Sequence, residues 1–94
     1  MDPKGRKTIT LTIVNDLGLH ARSAAKLAEL AEEAKGPVWI DRGGEKADAS
    51  SMLDVLTLNC PKGTPVSVSI EDEADNTTLE RIAELIRSGF GESS

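Results

Sequence analysis

Two stretches of the chain, "KTITLTIVN" and "PVSVSIE", set Ile9, Leu11, Ile13 and then Val66, Val68, Ile70 at every second position, with threonines or serines between them. A period of two sends successive side chains to opposite faces of a strand, so each stretch offers one apolar face and one wet face. Strands of that kind need cover on one side only. One sheet with helices packed against a single face satisfies them.

The remaining pattern supplies those helices. From Ala21 the period lengthens, with Ala24, Leu27, Ala28, Ala31 and Ala34 on one side and Arg22, Lys26, Glu29 and Glu33 on the other. "AKGPVW" ends that helix, with a glycine suited to a left-handed residue after the last turn and a proline that cannot continue. Val38 and Ile40 open a second strand, the Gly-Gly of "DRGGEK" suits a tight hairpin, and "EKADAS" follows as a third strand. "SSMLDVLTLN" reads as a short helix begun by serine, "PKGT" as a turn, and "DNTTLERIAELIRSGF" as a helix capped by Asp75 or Asn76 and closed by Gly89. The order is therefore βαββαβα, an α+β open-faced sandwich with a four-stranded antiparallel sheet and three helices on one face.

At 94 residues a single domain is expected, with its ordered core over about 7–90. One cysteine and one histidine can form neither an internal disulfide nor a four-ligand zinc site, so no metal or cofactor is expected. "MDPKGRKTIT" lacks the apolar run of a signal peptide, and no segment approaches the roughly 20 apolar residues of a membrane span. A cytoplasmic location follows. A net charge of −5 with one Trp, one Phe and no Tyr argues against a nucleic-acid partner.

His20 directly precedes the first helical pattern. The unpaired N–H groups of Ala21, Arg22 and Ser23 should point toward its ring, forming with the helix dipole and the Arg22 guanidinium a cradle for phosphate. The same field favours the bare ring nitrogen that a nucleophile needs. With no glycine-rich nucleotide loop and no second acid or base, such a chain would have to receive its phosphoryl group from another protein.

"GLHARSAAKLAEL" resembles the active-site motif of HPr, the histidine-containing phosphocarrier of the bacterial phosphotransferase system, whose usual form is Gly-Leu/Ile-His-Ala/Thr-Arg-Pro-Ala. The likeness extends from about Thr8 to Ile86. It implies phosphorylation of His20 on Nδ1 with help from Arg22, phosphate arriving from Enzyme I and leaving to an enzyme IIA domain, and a monomeric carrier that is not itself an enzyme. It also implies that Ser51 matches the serine marked in many relatives by HPr kinase/phosphorylase, and that Met52, Leu53 and Leu56 form an apolar patch for docking partners. Ser23 replaces the motif's proline and restores a backbone N–H, which is expected to add a donor to the phosphate. Glu29, Glu32 and Asp54 stand where several relatives are basic or neutral, which points to a partner of altered charge or to a branch serving nitrogen regulation.

Other features carry less. Cys60 in "LNCPKG" has no histidine nearby in sequence and reads as a small buried residue, while "EDEADN" lacks the glycine-centred spacing of a calcium loop and reads as a solvated turn. The alternative function is a regulatory binding module of the same fold, acting through protein contacts alone.

Overall fold

The alternating stretches lie side by side as an edge strand and its inner neighbour in the computed structural model, which describes residues 7–92. The strands are β1 (Lys7–Thr12), β2 (Val38–Arg42), β3 (Glu45–Asp48) and β4 (Pro65–Ile70). The helices are α1 (Ala21–Ala31), α2 (Met52–Leu56) and α3 (Asn76–Arg87). The charged residues 1–6, read above as no signal segment, lie outside the described residues.

Sheet order is β1-β4-β2-β3, antiparallel throughout. Register keeps the apolar positions in phase: Leu11 faces Val66, Ile9 and Ile40 both face Val68, and Ile40 faces Ala47. A slip of one residue would turn every one of these side chains to water. Their common face meets the helices, where Leu27, Ala24 and Ala31 of α1, Val55 of α2, and Leu79, Ile82 and Ile86 of α3 complete the core. On the other face, Thr10 and Ser67 hydroxyls meet at 3.3 Å, the Trp39 indole donates to Glu71 at 2.7 Å, and Lys46 Nζ lies 4.8 Å from the Trp39 ring centre.

Four local expectations are corrected. The helix α1 ends at Ala31, so Ala34 lies beyond it, and Gly36 is absent from the positive-φ residues. Gly36 sits in a close approach instead, where a Cβ would meet Asp72 Cβ at a tight 3.2 Å. Asp75 precedes α3 but makes no side-chain cap; it is buried, and its carboxylate accepts the Lys35 and Gly36 N–H groups at 2.8 Å each. The acidic run therefore ties the α1–β2 loop to the start of α3, and Asp72 caps the short 3-10 turn between them. Strand β3 stops at Asp48, two residues before the end of "EKADAS".

After α3 the chain makes an uncommon turn. Gly89, Phe90 and Gly91 all have positive φ, at 67°, 60° and 72°. A left-handed phenylalanine costs about 1–2 kcal/mol. Full burial of its ring returns about 2–3 kcal/mol, so the turn is held by its own side chain. Lys26 Nζ donates to the Phe90 carbonyl at 2.7 Å and fixes the segment against α1. This anchor decides where Glu92 lies.

Candidate functional site

The approach to α1 is built on a glycine. Gly18 has φ +67°, and a Cβ at this position would lie 2.4 Å from the Cys60 carbonyl oxygen. That same carbonyl accepts the Leu19 N–H at 2.8 Å, so the loop before His20 is stitched to the segment after α2 at a point where only glycine fits. Asn15 Nδ2 donates to the Gly18 carbonyl at 2.8 Å. The loop is thereby rigid where it delivers the ring.

His20 is the N-cap of α1, in extended backbone conformation. Its Nδ1 accepts the Arg22 N–H at 3.3 Å, and its carbonyl accepts the Ala24 N–H at 2.8 Å. On the far side of the ring, Nε2 lies 2.6 Å from Glu92 Oε2. A nitrogen that accepts a hydrogen bond carries no proton, so the neutral ring has its hydrogen on Nε2, donated to Glu92. Nδ1 keeps its lone pair and faces the amide end of the helix.

Glu92 is itself held. Asn15 Nδ2 donates to its Oε1 at 2.9 Å. That hydrogen bond, then the one from His20, and the nearby charges of His20 and Lys26 draw the Glu92 carboxyl below the usual carboxylate range, against a smaller opposing effect of desolvation. Asp16, Leu17, Ala21, Arg22 and Lys26 complete a shallow, open concavity around the imidazole. Ala21 and Arg22 are exposed there, and Leu17 is 71% exposed.

Ser23 is not part of this concavity. It is fully buried, its Oγ accepts the His20 N–H at 2.9 Å, and the hydroxyl lies 3.1 Å from the Gly18 carbonyl. Its hydroxyl latches the turn before α1, while the backbone N–H expected to serve phosphate belongs to the third residue of the helix.

Ser51 caps α2, its Oγ accepting the Asp54 N–H at 3.2 Å. Asp54 Oδ2 accepts the Asp48 N–H at 2.7 Å, and Asp48 Oδ1 accepts from the Ser50 hydroxyl at 2.6 Å, so two carboxylates flank the cap. Of the apolar trio, Leu53 is 72% exposed, whereas Met52 and Leu56 are half-buried against the core. Helix α2 packs on α1, which puts this surface beside the helix that carries His20. Cys60 is buried, and desolvation pushes its thiol up despite the nearby Arg42.

Asn15 and Glu92 are the site residues that pattern reading missed. Asn15 stands three before the required Gly18, a spacing typical of a side chain bonding its own loop. Glu92 follows the last periodic element and carries no signal.

The family model for the PTS HPr component phosphorylation site matches residues 7–88. The chain belongs to the HPr family. It is 38% identical over 84 residues to the phosphocarrier protein NPr of Shewanella violacea, covering 89% of this chain and 92% of that one. With the phosphocarrier protein HPr of Xylella fastidiosa the identity is 32% over 84 residues, covering 89% and 94% of the two chains. The crystal structure of HPr-C-His from Thermoanaerobacter tengcongensis superposes with a TM-score of 0.88 at 31% identity, over 94% of this chain and 99% of that one. The phosphocarrier family of the phosphotransferase system thus accounts for the βαββαβα sandwich and for the span that carries His20. The family match stops at residue 88, short of Glu92.

Proposed function

We propose that His20 accepts a phosphoryl group on Nδ1 from phospho-Enzyme I and passes it to an enzyme IIA-type acceptor, the protein acting as a cytoplasmic, monomeric carrier. The observation that carries this reading is Nδ1 facing the Arg22 N–H from the N-cap of α1. A neutral ring in this tautomer offers its lone pair to phosphorus without first shedding a proton. As the N–P bond forms, the phosphoryl oxygens enter the region where the Ala21 and Arg22 amides and the helix dipole favour negative charge. Arg22, exposed at the rim, adds a guanidinium with geometry suited to phosphate oxygens. The open form of the concavity fits a site that must meet donor and acceptor proteins in turn. Leu17 and Leu53, both largely exposed, with the half-buried Met52 and Leu56, supply an apolar contact surface for those encounters.

Ser51 acts in this reading as a helix cap. A phosphoryl group there would displace the cap and stand among Asp48 and Asp54, where like charges oppose it. The acidic Glu29, Glu32 and Asp54 favour a partner of altered surface charge, such as one from a nitrogen-type branch.

Incubation with phosphoenolpyruvate and Enzyme I tests the proposal. Wild type is expected to gain one acid-labile, alkali-stable phosphate that His20→Ala lacks. A wild type that takes up none while binding partner proteins would establish the regulatory module instead.

A further inference from the structure

We propose that Glu92 is a positioning residue that holds the proton on Nε2 of His20 before, during and after phosphoryl transfer, and so sets how readily the phosphoryl group leaves. This rests on the reading of His20 as the phosphoryl acceptor. Three contacts place the carboxylate: Oε2 lies 2.6 Å from Nε2, Oε1 accepts from Asn15 at 2.9 Å, and the preceding left-handed turn is pinned by buried Phe90 and by Lys26.

Electron bookkeeping gives the carboxylate its task. On loading, the Nδ1 lone pair forms the N–P bond while the donor's bond to phosphorus breaks and its electron pair stays with the donor. The ring, already protonated on Nε2, becomes a phosphoimidazolium whose positive charge faces Glu92. On discharge the acceptor's nucleophile forms its bond to phosphorus, the N–P pair returns to Nδ1, and neutral imidazole departs. No proton crosses the ring in either direction. Without the Nε2 proton the leaving group would be an imidazolate anion, a far poorer one. A carboxylate that favours the protonated form therefore keeps the phosphoryl group mobile. The other charged groups around the ring are Asp16, Arg22 and Lys26, of which Arg22 and Lys26 oppose the ring's positive charge and Asp16 favours it. Only Glu92 is in hydrogen-bonding contact with Nε2 among the described residues.

Phosphoramidate, a small-molecule phosphoryl donor, loads histidine without any partner protein and gives the test. Wild type, Glu92→Gln and Glu92→Ala are loaded, and phosphohistidine lifetime is followed from pH 5 to 10 by phosphorus NMR. Removing an opposite charge at hydrogen-bond distance is expected to move the fall-off of lability to lower pH by about 1 unit or more. At pH 8 the variants should hold phosphate several-fold longer and release it correspondingly more slowly to an acceptor. Amide spectra of Glu92→Gln outside the tail should match wild type, because the amide preserves a carbonyl for Asn15. Superimposable lifetime profiles for wild type and Glu92→Gln would overturn the role of Glu92 and leave the carrier intact. Failure of phosphoramidate to load His20 in wild type would overturn both.

Discussion

The two ring nitrogens of His20 have different partners. Nδ1 meets a helix amide and Nε2 a carboxylate, so lone pair and proton are separated across the imidazole. The Glu92 contact has its own pH signature. Its carboxyl is drawn below the unfolded value, so the stability it contributes is complete above that value and is lost as pH falls through the lower, folded one. Titrating the protein downward through the carboxylate range should therefore shift the Asn15 side-chain amide and the His20 ring signals together. Unchanged Asn15 and His20 signals through that range would show that the tail does not dock. Gly18 is a second residue-scale determinant. Alanine there must adopt a left-handed conformation, costing about 1–3 kcal/mol, and must also push away the Cys60 carbonyl. Denaturant melts of Gly18→Ala should show at least that loss, and a variant of wild-type stability would mean the loop is looser than described. Glu92 was not legible in the sequence because it acts through contacts with segments far apart in the chain, whereas Asn15 carried only the local signal of its spacing to Gly18.

At the scale of elements, alternation, helical period, the Gly-Gly hairpin signal and serine capping were enough to place every strand and all three helices, with the His20 cap at the start of α1. These signals are local, and local hydrophobic pattern settles which face is buried. What escaped was the joinery. "EDEADN" has the composition of a solvated turn, yet Asp75 is buried because two loop amides, Lys35 and Gly36, come to it from the end of the α1 segment. Replacing Asp75 by Ala strands both donors, and a loss of about 2–3 kcal/mol is expected in thermal or chemical unfolding. A change below 0.5 kcal/mol would mean the loop amides are satisfied by water. Ser23 shows the same limit: the sequence offers its backbone N–H, and only the folded turn reveals that its buried hydroxyl latches His20 to Gly18. For α2, Ser51→Ala removes one cap and should cost about 1 kcal/mol while leaving phosphotransfer at His20 unchanged.

Across the whole molecule, charge is distributed against its own site. The formal net charge is −5, yet Arg22 and Lys26 line the concavity, and the exposed surface turns acidic at Glu29 near the end of α1 and at Glu32 and Glu33 just after it. An acidic partner would be steered toward the ring and repelled by the helix beyond it. Reversing Glu29 and Glu32 to Lys should accelerate phosphoryl uptake from an acidic Enzyme I several-fold at low ionic strength, and the gain should shrink in salt as screening rises. Equal rates at all ionic strengths would place this face outside the encounter. The central claim, that phosphate on Nδ1 lies against the amide end of α1, is tested most directly by nitrogen and phosphorus NMR of the loaded protein. The account predicts phosphorus coupling to Nδ1 with downfield shifts of the Ala21 and Arg22 amides. Coupling to Nε2, or amides that do not move, would contradict it.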